Sequence, residues 1–395
     1  MNNQDRASDE ALFKNTIWRY FENVKDPRSP DNQKYKFLHL LFMIICSVIC
    51  GADDIDSILN YIESKIEWFK LKLGITKAPS YKAIWWILTL VNPEELHKAF
   101  RSFIKDLHKQ LSVPGEEPEQ IAIDGKTSRG TKRDDIKALH LVSAWSSSCQ
   151  LLLGQVKTNE KSNEITAIPE LLNILCLENT IITIDAMGCQ KSIAKQIVDG
   201  GGDYILALKG NQETIHEEVK MVFEKSEGIS QKNIDHPQPL FDIFIDHDKG
   251  HGRIEERIVR VCNDVKWLQE RQEWKGIRAI IEVVSRRLIK GRTTEERRYY
   301  LSSANGKAKQ FLQWIRNHWA VENPLHWVLD VVFKDDDFQG HTGHIAENIA
   351  LLKRLTLNLL KQETSLKKSI PKKRERAGWN NAYLLKILES VKCFL

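Results

Sequence analysis

The sequence predicts an α/β protein in which a mixed sheet is flanked by helices, interrupted by a β-rich insertion and preceded by a helical N-terminal domain. Three observations predict it. Apolar residues recur at helical spacing through 52–71 and 81–90. Short Ile-rich or alternating runs at 120–124, 138–146, 150–157, 180–185 and 203–208 have the texture of strands. Helical patterns at 164–175 and 190–198 fall between the later strands, which gives the order βββαβαβ of a sheet covered by helices.

The elements follow in chain order. Asp26-Pro-Arg-Ser-Pro30 is a loop ahead of the longest apolar run, 37–50, which is interrupted by His39 and too short to span a bilayer. That run is a buried core helix. Asn92-Pro-Glu-Glu-Leu96 is a helix cap with Pro in the first turn, and Ser112-Val-Pro-Gly-Glu-Glu-Pro118 is a linker. After the first strand comes a basic loop, Lys126-Thr-Ser-Arg-Gly-Thr-Lys-Arg133, and Ser146-Ser-Ser-Cys149 turns the chain between two strands of an antiparallel meander. Residues 211–226 are helical; alternating strands at 241–245, 253–261 and 277–288 follow. Helical character returns at 307–329 and 344–361, and a basic stretch precedes a last short helix near 383–388.

Bulk charge says little about partners. The net charge is +5, and six basic residues against Glu375 in 367–376 account for that excess, leaving the remainder balanced. Seven cysteines are scattered without a Cys-x-x-Cys pair, which predicts free thiols in a reducing cytoplasm and excludes a disulfide frame or zinc ribbon. No P-loop, dinucleotide fingerprint or nucleophile elbow is present.

Three acids each stand in a signature. Asp124 lies in Ile121-Ala-Ile-Asp-Gly-Lys126, Asp185 in Ile181-Ile-Thr-Ile-Asp-Ala-Met-Gly-Cys-Gln190, and Glu322 in His318-Trp-Ala-Val-Glu-Asn323. Each has a bland reading: a turn at Asp-Gly, a strand end, a solvated helix face. Together, two carboxylates on neighbouring strand ends and one on a helix can hold a pair of Mg²⁺ ions over a phosphodiester. Groups suited to phosphate accompany them: Lys126 and Arg129 after the first acid, Lys209, Asn211 and Gln212 after the strand that follows the second, Arg316 and His318 before the third. His247 and His251 flank Asp248-Lys-Gly250 in a hairpin loop that can reach DNA. The run Arg286, Arg287, Lys290, Arg292, Arg297 and Arg298 is either a solvated strand face or a phosphate-tracking surface. Trp314, Trp319 and Trp327 are core packing or a stacking platform for an unpaired base. His318, Glu322 and His326 recur every four residues, which leaves a zinc reading open, and Pro324 either kinks the helix or starts a new one behind Asn323.

These motifs resemble, over nearly the whole chain, the DDE transposases of bacterial insertion sequences, in the subgroup that includes the H-repeat-associated proteins. The residues that carry the resemblance are Asp26-Pro-Arg28, Cys50-Gly-Ala52, Ile123-Asp-Gly-Lys126, Ile184-Asp-Ala-Met-Gly-Cys-Gln190, Asp203-Tyr204, Leu208-Lys-Gly-Asn-Gln212, Gly250-His-Gly-Arg253, and His318-Trp-Ala-Val-Glu-Asn323 with Leu325-His-Trp-Val-Leu-Asp330. The resemblance implies an RNase H-like catalytic core in two parts, 119–226 and 303–362, around the insertion at 227–302, with the helical domain at 1–112 and a basic tail at 363–395. It implies Asp124, Asp185 and Glu322 as catalytic residues and metal ligands for two Mg²⁺, with Mn²⁺ substituting. Lys126, Arg129, Lys209, Asn211, Gln212, His251, Arg253, Arg316 and His318 are the expected DNA contacts. The expected partners are double-stranded DNA, both the inverted-repeat ends of the protein's own element and the target, and a second copy as a homodimer on DNA, in the bacterial cytoplasm at the nucleoid and without a membrane. The Tyr, Arg and Lys that related transposases carry around the catalytic Glu fall here on Ile315, His318 and Leu329. A catalytically inactive end-binding relic or regulator, and a hydrolytic RNase H-like nuclease, are the alternatives.

Overall fold

The computed structural model describes residues 17–112, 115, 117–158, 164–227, 241–250 and 253–390. Its N-terminal part is helical: a turn at Trp18–Phe21, then α1 (Phe37–Ile49), α2 (Ile55–Ser64), α3 (Ile66–Leu73), α4 (Tyr81–Leu90) and α5 (Pro93–Leu111). With no polar face to present to water, α1 buries eleven of its thirteen residues. α5 starts as its sequence dictates, Asn92 Oδ1 accepting the Glu94 N–H at 2.9 Å with Pro93 in the first position.

The meander consists of β1 (Glu119–Ser128), β2 (Leu139–Ser146) and β3 (Leu151–Lys157), all antiparallel. α6 (Glu164–Ile174) leads into β4 (Thr180–Ile184), and α7 (Lys191–Asp199) into β5 (Asp203–Leu208); β4 pairs parallel with β1, and β5 parallel with β4. After α8 (Glu213–Glu227) come two long hairpins, β6 (Phe241–Gly250) with β7 (Arg253–Cys262), and β8 (Ala279–Ile289) with β9 (Arg292–Ser302). They continue the same sheet, whose order is β3-β2-β1-β4-β5-β9-β8-β7-β6. The second hairpin reverses at Lys290 and Gly291, both with positive φ, the backbone that a two-residue turn between twisted strands needs.

The C-terminal part comprises α9 (Ala308–Ala320), an immediately following π-helix (Glu322–Val332), α10 (Ile345–Gln362), α11 (Ile370–Trp379) and α12 (Asn381–Glu389). α10 is the central fastener, with fifteen of eighteen residues buried. Its Asn358 amide takes both the N–H and the C=O of Leu152 on the outermost strand, at 2.9 and 3.0 Å, and Asn348 Nδ2 donates to the carbonyls of Leu88 and Val91. The main apolar core therefore runs from the N-terminal helices through α10 to one face of the sheet. A smaller core, with Ile181, Ile205, Val261, Ile281, Phe311 and Ile315, lies under α9 on the other face, as the alternation of strand side chains requires.

The segment expected as a basic tail is folded through residue 389. Two of the six basic residues in 367–376 are buried: Lys373 Nζ donates to the carbonyl of Leu360 at 2.8 Å, and Arg374 Nη2 to Val48 O at 3.0 Å and to Asp53 at 2.7 Å. Among the described residues no helix is long and apolar enough to cross a membrane.

Candidate active site

β1 and β4 place the first two acids side by side. The parallel ladder between them ends at Ile123 opposite Ile184, so Asp124 and Asp185 occupy the next position on adjacent chains, separated by a strand spacing of about 4.8 Å. Both fall on the face that α9 covers, because Gln120 and Thr183, two positions back on each strand or four, contact α9: Gln120 Nε2 donates to Trp314 O at 2.6 Å and Thr183 Oγ1 lies 3.0 Å from His318 Nδ1. The acids lie toward the carboxyl ends of the parallel strands, where α/β proteins commonly hold ligands.

Asp185 leaves β4 as the cap of a single 3₁₀ turn, accepting the Met187 N–H at 3.0 Å. The loop is braced from β5: Asn211 Nδ2 donates to Ala186 O at 2.8 Å and Gln212 Nε2 to Cys189 O at 2.9 Å. These two amides, expected at the DNA, are engaged in holding the Asp185 loop. Lys209, exposed just before them, works against the upward pull on the Asp185 carboxyl that burial and Glu164 exert.

Glu322 opens the π-helix, and the unusual helix has a local cause. Pro324 has no N–H for the carbonyl of Ala320, so the α-helical ladder cannot continue through it. The chain neither breaks nor restarts at Asn323; it widens, with His326 N–H reaching Val321 O at 3.4 Å and Phe333 N–H reaching Val328 O at 3.2 Å. This register sets His326 Nδ1 3.4 Å from Asp124 Oδ2. It also turns Trp327 and Val331 outward, 53% and 56% exposed, so of the three tryptophans only Trp314, against Phe311, packs as core. Trp319 is roofed by the Arg298 guanidinium, 4.6 Å from its ring centre.

A fourth acid joins the cluster, and sequence reasoning missed it. Glu164 stands at the start of α6; its Oε1 lies 2.8 Å from His140 Nε2, and His140 Nδ1 is 2.7 Å from Thr127 Oγ1 on β1. A side chain at Gly125 would collide with this pair, its Cβ falling 2.1 Å from Glu164 Oε1, so the glycine after Asp124 is what lets Glu164 approach. Glu164 carries no motif of its own; only the unexplained Gly in Asp124-Gly125 could have pointed to it.

Electrostatics register the crowding. Burial, together with the charges of Asp185, Glu164 and Glu322, pushes the Asp124 carboxyl up to about 7 against one opposing hydrogen bond from Gly125. The Asp185 carboxyl is raised too, by burial first and then by Glu164. Oxygen-rich, mutually repelling and short of cations, this donor set suits hard divalent ions. Its atoms are not drawn tight: among the described residues the one trio of metal-ligating side chains whose atoms all lie within 4.8 Å of one another is elsewhere.

The other expected contacts scatter. Lys126 belongs to β1, not to a loop; it is buried and ion-paired with Asp330 and, at 3.4 Å, with Asp336. Arg129 is exposed, its N–H donating to Asp336 at 3.1 Å. His318 is buried beneath α9, where it holds Thr183, so it faces the sheet and not a ligand. Arg316 pairs with Asp246 at 3.0 Å, and Arg253 lies near Glu255 at 3.8 Å on the hairpin arm. His247 sits within β6, and His251 lies outside the described residues. Of the basic run on β8 and β9, Arg286, Arg287, Arg297 and Arg298 are paired with Glu295, Glu255, Glu282 and Glu296, which favours the solvated strand face.

The sequence matches the family description DDE_Tnp_1-associated over residues 18–104 and Transposase DDE domain over residues 115–359. YncI of Escherichia coli O157:H7 is 37% identical over 379 residues, 94% of each chain. The H repeat-associated YhhI of Escherichia coli (strain K12) is 36% identical over 383 residues, 94% of this chain and 97% of its own. Both are named as transposases. A cryo-EM structure of the piggyBac transposase synaptic complex with hairpin DNA aligns over 98% of this chain and 82% of its own, at a TM-score of 0.43 and 10% identity, a likeness too faint to add to the assignment.

Proposed function

This chain belongs to the DDE transposases, in the H-repeat-associated group of bacterial insertion sequences, and from that premise we propose that it binds the ends of its own element and cuts and joins DNA there by metal-dependent phosphoryl transfer. The observation that carries the proposal is the convergence of Asp124 and Asp185 on adjacent strands, where the parallel ladder between them ends, with the charge of Glu322 felt at Asp124. We read the strand order β3-β2-β1-β4-β5, with only β1, β4 and β5 parallel, as an RNase H-like core.

In this reading Asp124, Asp185 and Glu322 hold two Mg²⁺ ions, or Mn²⁺ in their place, and Glu164 steadies the set from behind Gly125. When bound, such ions supply a nucleophilic oxygen and neutralise charge on the leaving one. The chain's own residues do the rest. Lys209 and Arg129, both exposed, take phosphate oxygens on either side of the acids. Asn211 and Gln212 keep the Asp185 loop in place, and Lys126 fixes the π-helix to β1 through Asp330. The exposed Trp327, four residues plus one beyond Glu322, offers a stacking face to an unpaired base. The protein acts as a homodimer, since both ends of an element are handled together, in the bacterial cytoplasm at the nucleoid.

The test is a joining assay on a fragment bearing the element's terminal repeats and a separate target duplex. Mg²⁺-dependent joined products, lost in Asp185→Asn, are the expected result. Released ends that never join would favour a hydrolytic nuclease, and joining without metal would overturn the scheme.

A further inference from the structure

A second cluster of chemically active side chains stands at the N-terminal end of β1. His108, in the last turn of α5, Glu119, the first residue of β1, and Cys149, in the turn between β2 and β3, bring an imidazole nitrogen, a carboxylate oxygen and a thiol sulfur within 4.8 Å of one another. No other trio among the described residues does so. Glu119 and Asp124 are five residues apart on one strand, roughly 17 Å, so the cluster is separate from the acid cleft.

The cluster is organised by its surroundings. His108 Nε2 lies 2.8 and 3.0 Å from the two Glu119 oxygens and 3.1 Å from Ser112 Oγ. Ser146 and Ser148 both donate to Glu119 Oε1, the latter at 3.2 Å, and the Cys149 N–H donates to Ser146 Oγ at 3.2 Å. All three principal residues are partly buried, open enough for an ion to enter. An ordinary ion pair explains His108 with Glu119. It does not explain a thiol turned toward the same point from a third element.

We propose that His108, Glu119 and Cys149 bind a Zn²⁺ ion, with water in the fourth position, as a clip between the helical N-terminal part and the sheet. Mixed nitrogen, oxygen and sulfur donors suit zinc and exclude Mg²⁺, which takes oxygen. Tetrahedral zinc at ordinary bond lengths sets its ligand atoms about 3.3–3.7 Å apart, so His108 and Glu119 separate by roughly 0.5 Å while the sulfur closes by about 1 Å at most. The clip closes the connection between α5 and β1, where the two residues stand eleven positions apart. Because folding assembles the three ligands, the free energy of binding the ion adds to that of folding.

The test uses the full chain, stripped with a chelator and held in excess Mg²⁺ so that the acid cleft is not free to compete, then titrated with Co²⁺ and with Zn²⁺. One equivalent of Co²⁺ should give a thiolate-to-cobalt charge-transfer band, and Zn²⁺ should raise the melting temperature. Cys149→Ser should abolish the band and weaken zinc by at least about 10- to 100-fold, the loss typical even of an outer-shell partner. Cys176→Ser, which alters an exposed thiol elsewhere, should change neither. Absence of the band in the unaltered chain, its survival in Cys149→Ser, or an equal melting shift in both would overturn the proposal.

Discussion

His326 Nδ1 stands 3.4 Å from Asp124 Oδ2, joining the π-helix to strand β1 of the sheet. Burial, and then the nearby charge of Lys126, holds the imidazole down to about 4, so at neutral pH it carries no positive charge. Its Nε2 is buried without a hydrogen-bond partner among the described residues. Asp124 thus has a neutral ring beside it; burial first, and then the charges of Asp185, Glu164 and Glu322, hold its own proton tightly.

A stability prediction follows from the sign of that shift. Asp124 titrates at about 7 in the folded chain, against about 3.9 for a free aspartate. Between those values the folded state keeps a proton that the unfolded state has released, so stability falls as pH rises through the window. Metal-free Asp124→Asn should therefore melt higher than the unaltered chain at pH 8, by about 1 °C for each kcal/mol of relief. The gap should close near pH 4. Equal melting at pH 8 would contradict the crowding argument.

The π-helix is predicted to be a device of Pro324. Pro324→Ala restores a donor for the Ala320 carbonyl and lets the α-helical register run on. That register turns Glu322 and His326 away from Asp124. End cleavage should drop by about tenfold or more, the cost of a misplaced catalytic group, while melting temperature holds or rises. Unchanged cleavage would mean that the widened register plays no part.

Glu164 should matter although no motif announces it. Glu164→Gln keeps the His140 contact and removes the charge. Cleavage should weaken about 10- to 100-fold and demand more Mg²⁺, as expected of a group that supports metal ligands. A Gln variant with an unaltered Mg²⁺ requirement would remove Glu164 from the site.

Asp335 tests the buried framework behind the cleft. Burial pulls its carboxyl up, yet Arg354 at 3.5 Å and Lys353 at 3.9 Å prevail and hold it below the ordinary range, and Ser128 Oγ donates to it at 3.0 Å. Asp335→Ala leaves two buried cations uncompensated, which should cost about 3–5 kcal/mol in a denaturation experiment. A loss below 1 kcal/mol would show that the cluster relaxes into solvent.

What was legible in the sequence was whatever local periodicity and short motifs encode. The meander, the parallel β4 and β5, the buried α1 and the cap at Asn92 follow from patterns a few residues long. β9 was not legible, because Arg292-Thr-Thr-Glu-Glu-Arg-Arg298 lies on an arm exposed on both faces and shows no alternation. Nor was α11, whose Lys373 and Arg374 look like a solvated tail until Leu360, Val48 and Asp53 come into contact from distant parts of the chain. At the site, the three acids stood out through their motifs. The partners of those acids did not: His318 was expected near phosphate and is buried on Thr183, and Lys126 is committed to Asp330. A charge in a sequence has no visible counter-charge, and tertiary pairing decides which cations remain free.

The most direct test compares the unaltered chain with Glu322→Gln on DNA carrying the element's terminal repeats, measuring binding and cleavage in the same Mg²⁺ buffer. The account predicts that both bind the ends equally and that only the unaltered chain cuts at them. Binding without cutting by either chain would contradict it and leave an end-binding relic or regulator; equal cutting by both would remove Glu322 from the chemistry.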